Sequence, residues 1–157
     1  MRLELRAIGR LKAGAERTLL DGYLKRANQA GRPIGLGPVE EREIDPRALK
    51  TKADETRALI EGLSSDALIF ALDETGKTLS SLEFSQLIAT ARDNGVRQGA
   101  LLIGGADGHE RALLPKSARM LSFGRMTWPH MLCRVMASEQ LYRAISVLAG
   151  SPYHREG

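Results

Sequence analysis

The stretch that decides the fold runs from Leu101 to His130 and reads LLIGGADGHERALLPKSARMLSFGRMTWPH. It begins as a short apolar strand that ends at Gly104-Gly105, and it closes on a second apolar and glycine-containing segment, residues 121–127. A long helical pattern follows Trp128-Pro129, and an aromatic and basic tail comes last. The prediction of fold and function therefore depends on what these two glycine-containing segments, the helix and the tail do.

Outward from this stretch, strand and helix patterns alternate along the chain. The run ALIFALD at residues 67–73 is almost continuously apolar, which is typical of a strand covered on both faces in a parallel sheet. Alternation and apolar runs predict four more strands: a half-buried one at residues 2–9, one near an edge at 39–44, and two at 100–103 and 120–123. Residues 74–77 are expected to form a loop.

Helices are predicted between these strands from apolar residues at helical spacing and from capping signals. They cover residues 15–30, a segment from Asp45-Pro46 to residues 62–65, a segment from the capping box of Ser80 and Glu83 to Asn94-Gly95, residues 112–118, and a last helix from Pro129 to about residue 150. The alternation favours one α/β domain over residues 1–157, with a mainly parallel sheet flanked by helices.

Composition limits the class of protein. The chain has 157 residues, of which 43% are hydrophobic, so it can bury a real core. Cys133 is the only cysteine, which excludes a disulfide and a cysteine metal cluster. No apolar run approaches the roughly 20 residues of a membrane span, and the N-terminus does not resemble a secretory signal. A cytoplasmic protein without membrane contact is expected.

The basic residues concentrate in the C-terminal third. The net charge is +4, and between residues 111 and 155 only Glu139 opposes seven basic residues: Arg111, Lys116, Arg119, Arg125, Arg134, Arg143 and Arg155. Two interpretations are open. The segment is a solvated basic face, or a phosphate-bearing substrate docks on it.

Three loops lie at the carboxyl ends of predicted strands, where open parallel sheets bind ligands. They are residues 72–74, 104–108 and 121–127. The sequence GGADG is not the dinucleotide fingerprint, and a Walker phosphate loop is absent. Taken alone, Gly104-Gly105 fits a tight structural turn at least as well as a binding site.

Several polar residues allow both a structural and a functional interpretation. His130 at a helix start is more often structural, and Asp73 with Glu74 fits ligand contacts or a capping turn equally. Glu139 and Arg143 stand four apart, a spacing that often indicates only a surface pair. Cys133 fits a small buried apolar residue. Three scattered histidines do not form a metal site, and no metal is expected.

Five segments together carry a family resemblance. They are LD-x-x-GK at residues 72–77, LLIGGADG at 101–108, LSFGRMTWPH at 121–130, CRVMASEQLYRA at 133–144 and SPYHRE at 151–156. The chain resembles the SPOUT class of S-adenosylmethionine-dependent methyltransferases over its whole length. Within that class it is similar to the small bacterial enzymes that methylate N3 of a pseudouridine in 23S rRNA. The C-terminal third is the most specific part.

The resemblance implies a C-terminal trefoil knot whose loops bind the methyl donor, and a homodimer as the functional unit. The chain has no spare length for an RNA-binding domain, so a minimal knot domain acting on 23S rRNA in the ribosome is expected, with no role for DNA. S-adenosyl-L-homocysteine would be the product. By position, the residues expected to contact the donor are Leu72, Gly104, Gly105, Leu121, Ser122, Phe123, Gly124, Arg125, Met126 and Thr127.

Methyl transfer is an in-line displacement that needs alignment of donor and acceptor more than covalent help. The acceptor imide nitrogen loses a proton, so a base or a cation that stabilises the anion is expected to assist. The favoured catalytic candidates are Tyr153, His154 and Arg155 in the tail, with Arg134 and His130 in the last helix. The sequence does not decide among them.

Two other function classes compete with this interpretation. A nucleotide-cofactor oxidoreductase on a doubly wound sheet is disfavoured by the missing fingerprint. A non-catalytic protein that binds RNA or the ribosome is allowed by the basic C-terminal third. It leaves Gly104-Gly105 and LSFGRM unexplained.

Overall fold

The computed structural model describes residues 1–154, in which five strands form one parallel sheet. The strand order is β2-β1-β4-β3-β5, and every neighbouring pair is parallel. The strands are β1 (Arg2–Ile8), β2 (Val39–Ile44), β3 (Leu68–Thr78), β4 (Gln98–Ile103) and β5 (Arg119–Ser122). The predicted α/β class and all five predicted strands are confirmed, and β2 lies at an edge as expected.

Helices cover both faces of the sheet. They are α1 (Ala15–Gly31), α2 (Lys52–Ile60), α3 (Ser81–Asp93) and α4 (His130–Leu148). Side chains of α1, α3 and α4 join Leu5, Phe70 and Leu101 in one core, whereas α2 joins Ile69 and Leu102 in a second core. Because successive residues of a strand point to opposite faces, the apolar strand runs supply both cores at once.

Two predicted helices are wrong in extent. Asp45-Pro46 opens only a 3₁₀ turn, and α2 begins at Lys52, where Thr51 and Asp54 form a complete capping box. The helix predicted over residues 112–118 is a single 3₁₀ turn, Arg111–Leu113. Leu114 is extended with ψ 143° because the residue before a proline is pushed out of the helical region, and Pro115 follows it.

The expectation that β1 is half-buried is also wrong. Only Arg2 is exposed, and both Glu4 and Arg6 are buried on the face of the sheet that α2 covers. Arg6 Nε lies 2.6 Å from Glu4 Oε2, and Arg6 Nη1 donates to the carbonyl oxygens of Leu59 and Glu61 at 2.9 and 2.7 Å. The buried charges are therefore paired and hydrogen-bonded, which is the condition for tolerating them.

The predicted loop at residues 74–77 is part of β3, which contains a large bulge. Leu72 and Lys77 both pair with Leu121 of β5, so residues 73–76 bulge outward between them. A Cβ at Gly76 would lie 2.6 Å from the Leu121 carbonyl carbon, so a side chain has no room there. The glycine of LD-x-x-GK lets β5 lie against the bulged strand.

Candidate functional site

A cavity of about 580 Å³ lies at the carboxyl edge of the sheet, where β1, β4 and β5 end and β3 bulges. Its lining comes from every loop that the sequence singled out, together with the start of α4. The lining residues are Ile8, Leu72, Asp73, Glu74, Ile103, Gly104, Gly105, Ala106, Gly108, Ser122, Phe123, Gly124, Met126, Thr127, Trp128, His130 and Cys133. We call it the edge cavity.

Two of the predicted donor residues do not line the edge cavity. Leu121 is buried in β5 as part of the core, and Arg125 is exposed to solvent. The other eight of the ten predicted donor residues lie in the lining. The sequence did not single out Ile8 and Trp128. Ile8 could have been found, because it ends a strand beside β4 at the same edge of the sheet.

The glycine loop after β4 is tight for a backbone reason. A Cβ at Gly104 would lie 2.8 Å from the Gly108 carbonyl oxygen, and the Gly108 N–H donates to the Gly105 carbonyl oxygen at 3.1 Å. Gly108 has φ +71°, a region that favours glycine. At Gly105 a Cβ would meet the Glu55 carboxylate instead, 2.5 Å from Oε2. The glycine loop after β4 is therefore both a tight structural turn and a wall of the edge cavity.

Helix α2 supports the glycine loop from outside. The Thr56 hydroxyl accepts a hydrogen bond from the Glu110 N–H at 2.9 Å, and Lys52 Nζ lies 3.8 Å from the Glu110 carboxylate. Thr56 is fully buried. The loop is therefore fixed at both ends, by β4 before it and by α2 after it.

The wall opposite the glycine loop is the turn that follows β5. The Ser122 hydroxyl lies 3.2 Å from the Glu74 carbonyl oxygen and accepts a hydrogen bond from the Gly124 N–H at 3.1 Å. Gly124 has φ +114°, again a glycine conformation. These contacts hold the turn against the bulge of β3.

Two carboxylates lie at the rim of the cavity. Asp73 Oδ1 accepts hydrogen bonds from the Thr75 N–H at 2.9 Å and from Arg111 Nη2 at 2.8 Å. Burial raises the pKa of Asp73, but the bonds from Thr75 and Arg111 outweigh it and hold the pKa below its ordinary value. Asp73 and Glu74 lie within β3, so neither caps a helix. The Glu74 side chain is exposed.

His130 lies at the first position of α4 and lines the edge cavity. Its Nε2 is 3.1 Å from the Gly104 carbonyl oxygen. Burial, together with the positive charge of Arg134, lowers the pKa of His130 below its ordinary value. The imidazole is therefore neutral near pH 7. A hydrogen bond to the carbonyl places its proton on Nε2 and leaves a lone pair on Nδ1.

Arg134 is buried and does not line the edge cavity. Its guanidinium binds Glu41 and lies 2.7 Å from Glu43, and its Nη1 donates to the Gly9 carbonyl oxygen at 3.1 Å. The side chain is only 2% exposed. The structure thus places this candidate between α4 and the ends of β1 and β2.

The tail packs back onto α4. Tyr153 Oη donates to Glu139 Oε1 at 3.0 Å, its ring centroid lies 4.5 Å from that of Tyr142, and the Arg143 guanidinium lies over the ring at 5.0 Å. Glu139 and Arg143 do form the expected pair, at 2.9 Å, but they are mostly buried and hold the tail. Burial, reinforced by Glu139, raises the pKa of Tyr153, so the phenol stays protonated.

Tyr153 and His154 do not line the edge cavity, and Arg155 lies outside the described residues. Glu139 stands nine residues after His130 on α4, which is about 14 Å along the helix axis. The structure therefore brings His130 to the cavity and anchors the described part of the tail elsewhere in the same chain. Cys133 also lines the cavity, and burial raises the pKa of its thiol.

We expect the stability of the chain to fall when the pH drops below about 6.5, the ordinary pKa of histidine. His109 follows the glycine loop and is 4% exposed. Burial lowers its pKa, and the Asp73 carboxylate offsets this only in part. Because the folded pKa is depressed, the stabilisation from neutral His109 is complete above the unfolded pKa and is lost on acidification.

Thermal unfolding at pH 7.5 and pH 5.0 measures this effect. His109→Leu should lose less stability between the two pH values than the unsubstituted chain, and His130→Ala should account for part of the remainder. If His109→Leu and the unsubstituted chain lost equal stability between pH 7.5 and pH 5.0, the assignment of the effect to His109 would be contradicted.

Comparison with known proteins agrees with the α/β fold. A family model described as "Predicted SPOUT methyltransferase" matches residues 1–154. The chain therefore belongs to the SPOUT methyltransferase family, and the resemblance seen in its sequence is confirmed.

Curated relatives narrow the similarity within this family. One from Maricaulis maris is 55% identical over 156 residues, covering 99% of this chain and 100% of the relative. Relatives from Dinoroseobacter shibae and Beijerinckia indica are each 50% identical, covering 99% of both chains. All three are called ribosomal RNA large subunit methyltransferase H.

Two further observations concern only the part of the chain that the structure describes. No helix within residues 1–154 is long and apolar enough to cross a membrane. Within the same residues, no group of three or more His, Cys, Asp or Glu side chains is placed to hold a metal ion.

Proposed function

We propose that this chain transfers the methyl group of S-adenosylmethionine to N3 of a pseudouridine in 23S rRNA of the large ribosomal subunit. The edge cavity carries the proposal, because eight of the ten residues expected to bind the donor line it. The names of the relatives supply the rRNA substrate. Residues 1–157 act as one cytoplasmic methyltransferase domain, and the trefoil knot stays a prediction.

The cavity fits such a donor in size and chemistry. Its volume of about 580 Å³ suits a ligand of nucleoside size. Gly104, Gly105 and Gly124 line the cavity without side chains, so an adenine can lie close to the backbone there. The donor carries a sulfonium and an ammonium group, and the exposed carboxylate of Glu74 at the rim favours both, whereas the charge of Asp73 is paired with Arg111.

The chemical step breaks the bond between sulfur and methyl carbon and forms a bond from that carbon to N3, while the imide proton leaves. The sulfonium becomes a neutral thioether, so S-adenosyl-L-homocysteine is released. Neutral His130, at the cavity with its Nδ1 lone pair, is one candidate to accept the proton. His154 in the tail is the other, and Arg155 is the candidate cation for the imide anion.

The anchoring of the tail on α4, outside the lining of the edge cavity, supports a homodimer. Within one chain, Tyr153 is held by Glu139 and Tyr142, and Glu139 stands roughly 14 Å from His130 along the α4 axis. The tail of a second copy could reach the cavity where its own chain's tail does not. Large apolar side chains are exposed beside the cavity: Met126, Trp128, Met131 and Leu132. Two chains would bury this surface and complete each site.

We therefore expect a dimer at micromolar concentration in sedimentation experiments. Met131→Glu with Leu132→Glu should shift the chain to monomers and lower methyl transfer, because four charged groups would be buried in the dimer. Leu82→Glu is the matched control, since Leu82 is equally apolar and exposed but lies on α3. A monomer with full activity would refute the dimer.

A methyl-transfer assay tests the proposed function directly. Tritiated S-adenosylmethionine is offered with 70S ribosomes, separated subunits or naked 23S rRNA, and the modified nucleoside is identified by mass spectrometry. The proposal predicts 3-methylpseudouridine in at least one of these substrates. RNA binding without any transfer would favour the non-catalytic alternative, and calorimetric binding of NAD in place of S-adenosylmethionine would favour an oxidoreductase.

A further inference from the structure

The loop between β1 and α1 carries two cations that the proposed chemistry does not use. Arg10 and Lys12 are exposed, and neither makes a hydrogen bond or ion pair within residues 1–154. The residue between them, Leu11, is buried in the main core at 5% exposure. We call residues 10–13 the basic loop.

The basic loop is rigid because its backbone is held on both sides of Arg10. The Leu11 N–H donates to Glu43 Oε1 at 2.6 Å, and the Gly9 N–H donates to the Ile44 carbonyl oxygen at 2.8 Å. Arg134 of α4 binds the Gly9 carbonyl oxygen. The two cations therefore project from a fixed frame, which reduces the entropy lost when they bind a partner.

The carboxylates beneath the loop do not neutralise Arg10 and Lys12. Glu41 and Glu43 each bind both Arg17 and Arg134, with Arg17 at 2.6 and 2.9 Å. Burial raises the pKa of Glu43, but the bonds from Leu11 and Arg134 hold it below its ordinary value, so this carboxylate stays ionised and paired. The charges of Arg10 and Lys12 remain unopposed.

The basic loop lies at the same edge of the sheet as the edge cavity. Ile8, two residues before Arg10, lines that cavity. Arg134 joins Gly9 to α4 one turn after His130, which lines the cavity as well. An open groove of about 690 Å³ runs between the basic loop and the end of β2, lined by Arg10, Leu11, Lys12, Ala13, Arg17, Glu41 and Glu43.

We propose that the basic loop docks the phosphate backbone of the substrate RNA, with Arg10 and Lys12 contacting phosphates beside the nucleotide that enters the edge cavity. The partner is RNA because the loop offers two unpaired, fixed cations next to a cavity whose proposed acceptor is a nucleotide. The inference rests on the proposed function and adds to it a surface outside the C-terminal third. Arg17 and Arg134 hold the frame and do not contact RNA.

The double substitution Arg10→Ala with Lys12→Ala tests this surface. Each lost phosphate contact lowers the slope of log affinity against log salt by about 0.7 to 0.9, so the loss of two contacts should lower the slope by about 1.4 to 1.8. The affinity for 23S rRNA and for 70S ribosomes is measured by filter binding at several salt concentrations. KM for the RNA should rise, while donor affinity and kcat at saturating RNA stay unchanged.

Lys25→Ala with Arg32→Ala is the matched control, because it removes the same charge. Both residues are exposed cations in the C-terminal half of α1 or just after it, away from the basic loop. The control should keep the salt slope of the unsubstituted chain. A salt slope in the Arg10→Ala, Lys12→Ala variant equal to that of the unsubstituted chain would overturn the proposal. An equal decrease of the slope in this variant and in the control variant would overturn it as well.

These outcomes are distinguishable from failure of the proposed function. If the unsubstituted chain transfers no methyl group to any ribosomal substrate, the function fails, whereas the salt slope of RNA binding still tests the basic loop. If transfer proceeds and the slope does not change on Arg10→Ala with Lys12→Ala, the function stands and the basic loop is not the docking surface.

Discussion

Gly104→Val is expected to lower the affinity for S-adenosylmethionine by about ten- to one-hundredfold while the fold persists. A Cβ at this position would lie 2.8 Å from the Gly108 carbonyl oxygen and 3.0 Å from its carbonyl carbon. These are backbone atoms, so the glycine loop itself has to move. Displacements of this kind cost about 1 to 3 kcal/mol, and each 1.4 kcal/mol taken from binding is a factor of about ten in Kd.

Isothermal calorimetry measures donor affinity, and thermal unfolding checks the fold. Gly105→Ala is the informative neighbour, since its Cβ would meet only the end of the Glu55 side chain, which can rotate away, and a small effect is expected. Gly22→Ala on α1 is the neutral control, because nothing lies within 4 Å of its Cβ. Unchanged donor affinity in a folded Gly104→Val chain would exclude the glycine loop from the donor site.

The fold could be predicted from the sequence where one local pattern favoured an element and no second pattern favoured a different one. The run ALIFALD and the capping box of Ser80 and Glu83 predicted β3 and α3 because burial on both faces and capping leave direct traces in the sequence. The predicted start of α2 was wrong because the chain has two N-cap residues, Asp45 and Thr51, six residues apart. Thr51 and Asp54 have the spacing of a capping box, so the sequence does contain the signal for the true start, but Asp45-Pro46 favoured an earlier one.

Long-range contacts explain the other differences. Arg6 and Glu4 look like the solvent face of β1, but the carbonyl oxygens that complete the Arg6 site belong to Leu59 and Glu61, more than fifty residues away. The bulge of β3 likewise depends on Leu121 of β5. Periodicity reports the local chain, so it does not reveal partners that only the folded chain brings together.

The candidate site, like the fold, was predictable where local patterns define it and not where long-range contacts do. The edge cavity was predictable because the carboxyl ends of parallel strands meet at one edge, where the glycine loops also lie. Within the segment 121–127, the sequence did not separate Leu121, which packs into the core, from the residues after it that face the cavity. The position of the tail depends on its contacts with α4, such as Tyr153 with Glu139, which no motif encodes.

Deleting residues 152–157 is expected to abolish methylation of the RNA while leaving donor binding largely intact. The deletion removes Tyr153, His154 and Arg155, which together can stack on a base, hydrogen-bond its edge and pair with phosphate. Loss of a general base alone lowers a rate by about 10² to 10⁴, and loss of acceptor binding adds to that. His154→Ala should mainly lower kcat, and Arg155→Ala should mainly raise KM for the RNA.

The truncated chain should fold, because the end of α4 is closed by bonds that the deletion spares. The Ala149 N–H donates to the Ile145 carbonyl oxygen at 2.9 Å, and the Ser151 N–H donates to the Ser146 carbonyl oxygen at 2.9 Å. Calorimetry with the donor and single-turnover methylation of ribosomes therefore separate a folding defect from a defect at the acceptor. A truncated chain that methylates at the unsubstituted rate would remove the tail from the site and leave His130 as the candidate base.

Mixing the truncated chain with the Gly104→Val chain shows whose tail serves which cavity. With the donor held near its Kd for the unsubstituted chain, the truncated chain is expected to be inactive because it has no tail. The Gly104→Val chain is expected to be nearly inactive because its donor affinity is about ten- to one-hundredfold lower. In a mixed dimer, the intact cavity belongs to the truncated chain and the intact tail belongs to its partner. Recovered activity on mixing means that the tail acts on the other chain's cavity, as the roughly 14 Å between His130 and Glu139 along α4 leads us to expect. Continued inactivity in dimers shown to be mixed would mean that the tail serves its own chain, and Tyr153 would then have to leave Glu139 to reach the acceptor.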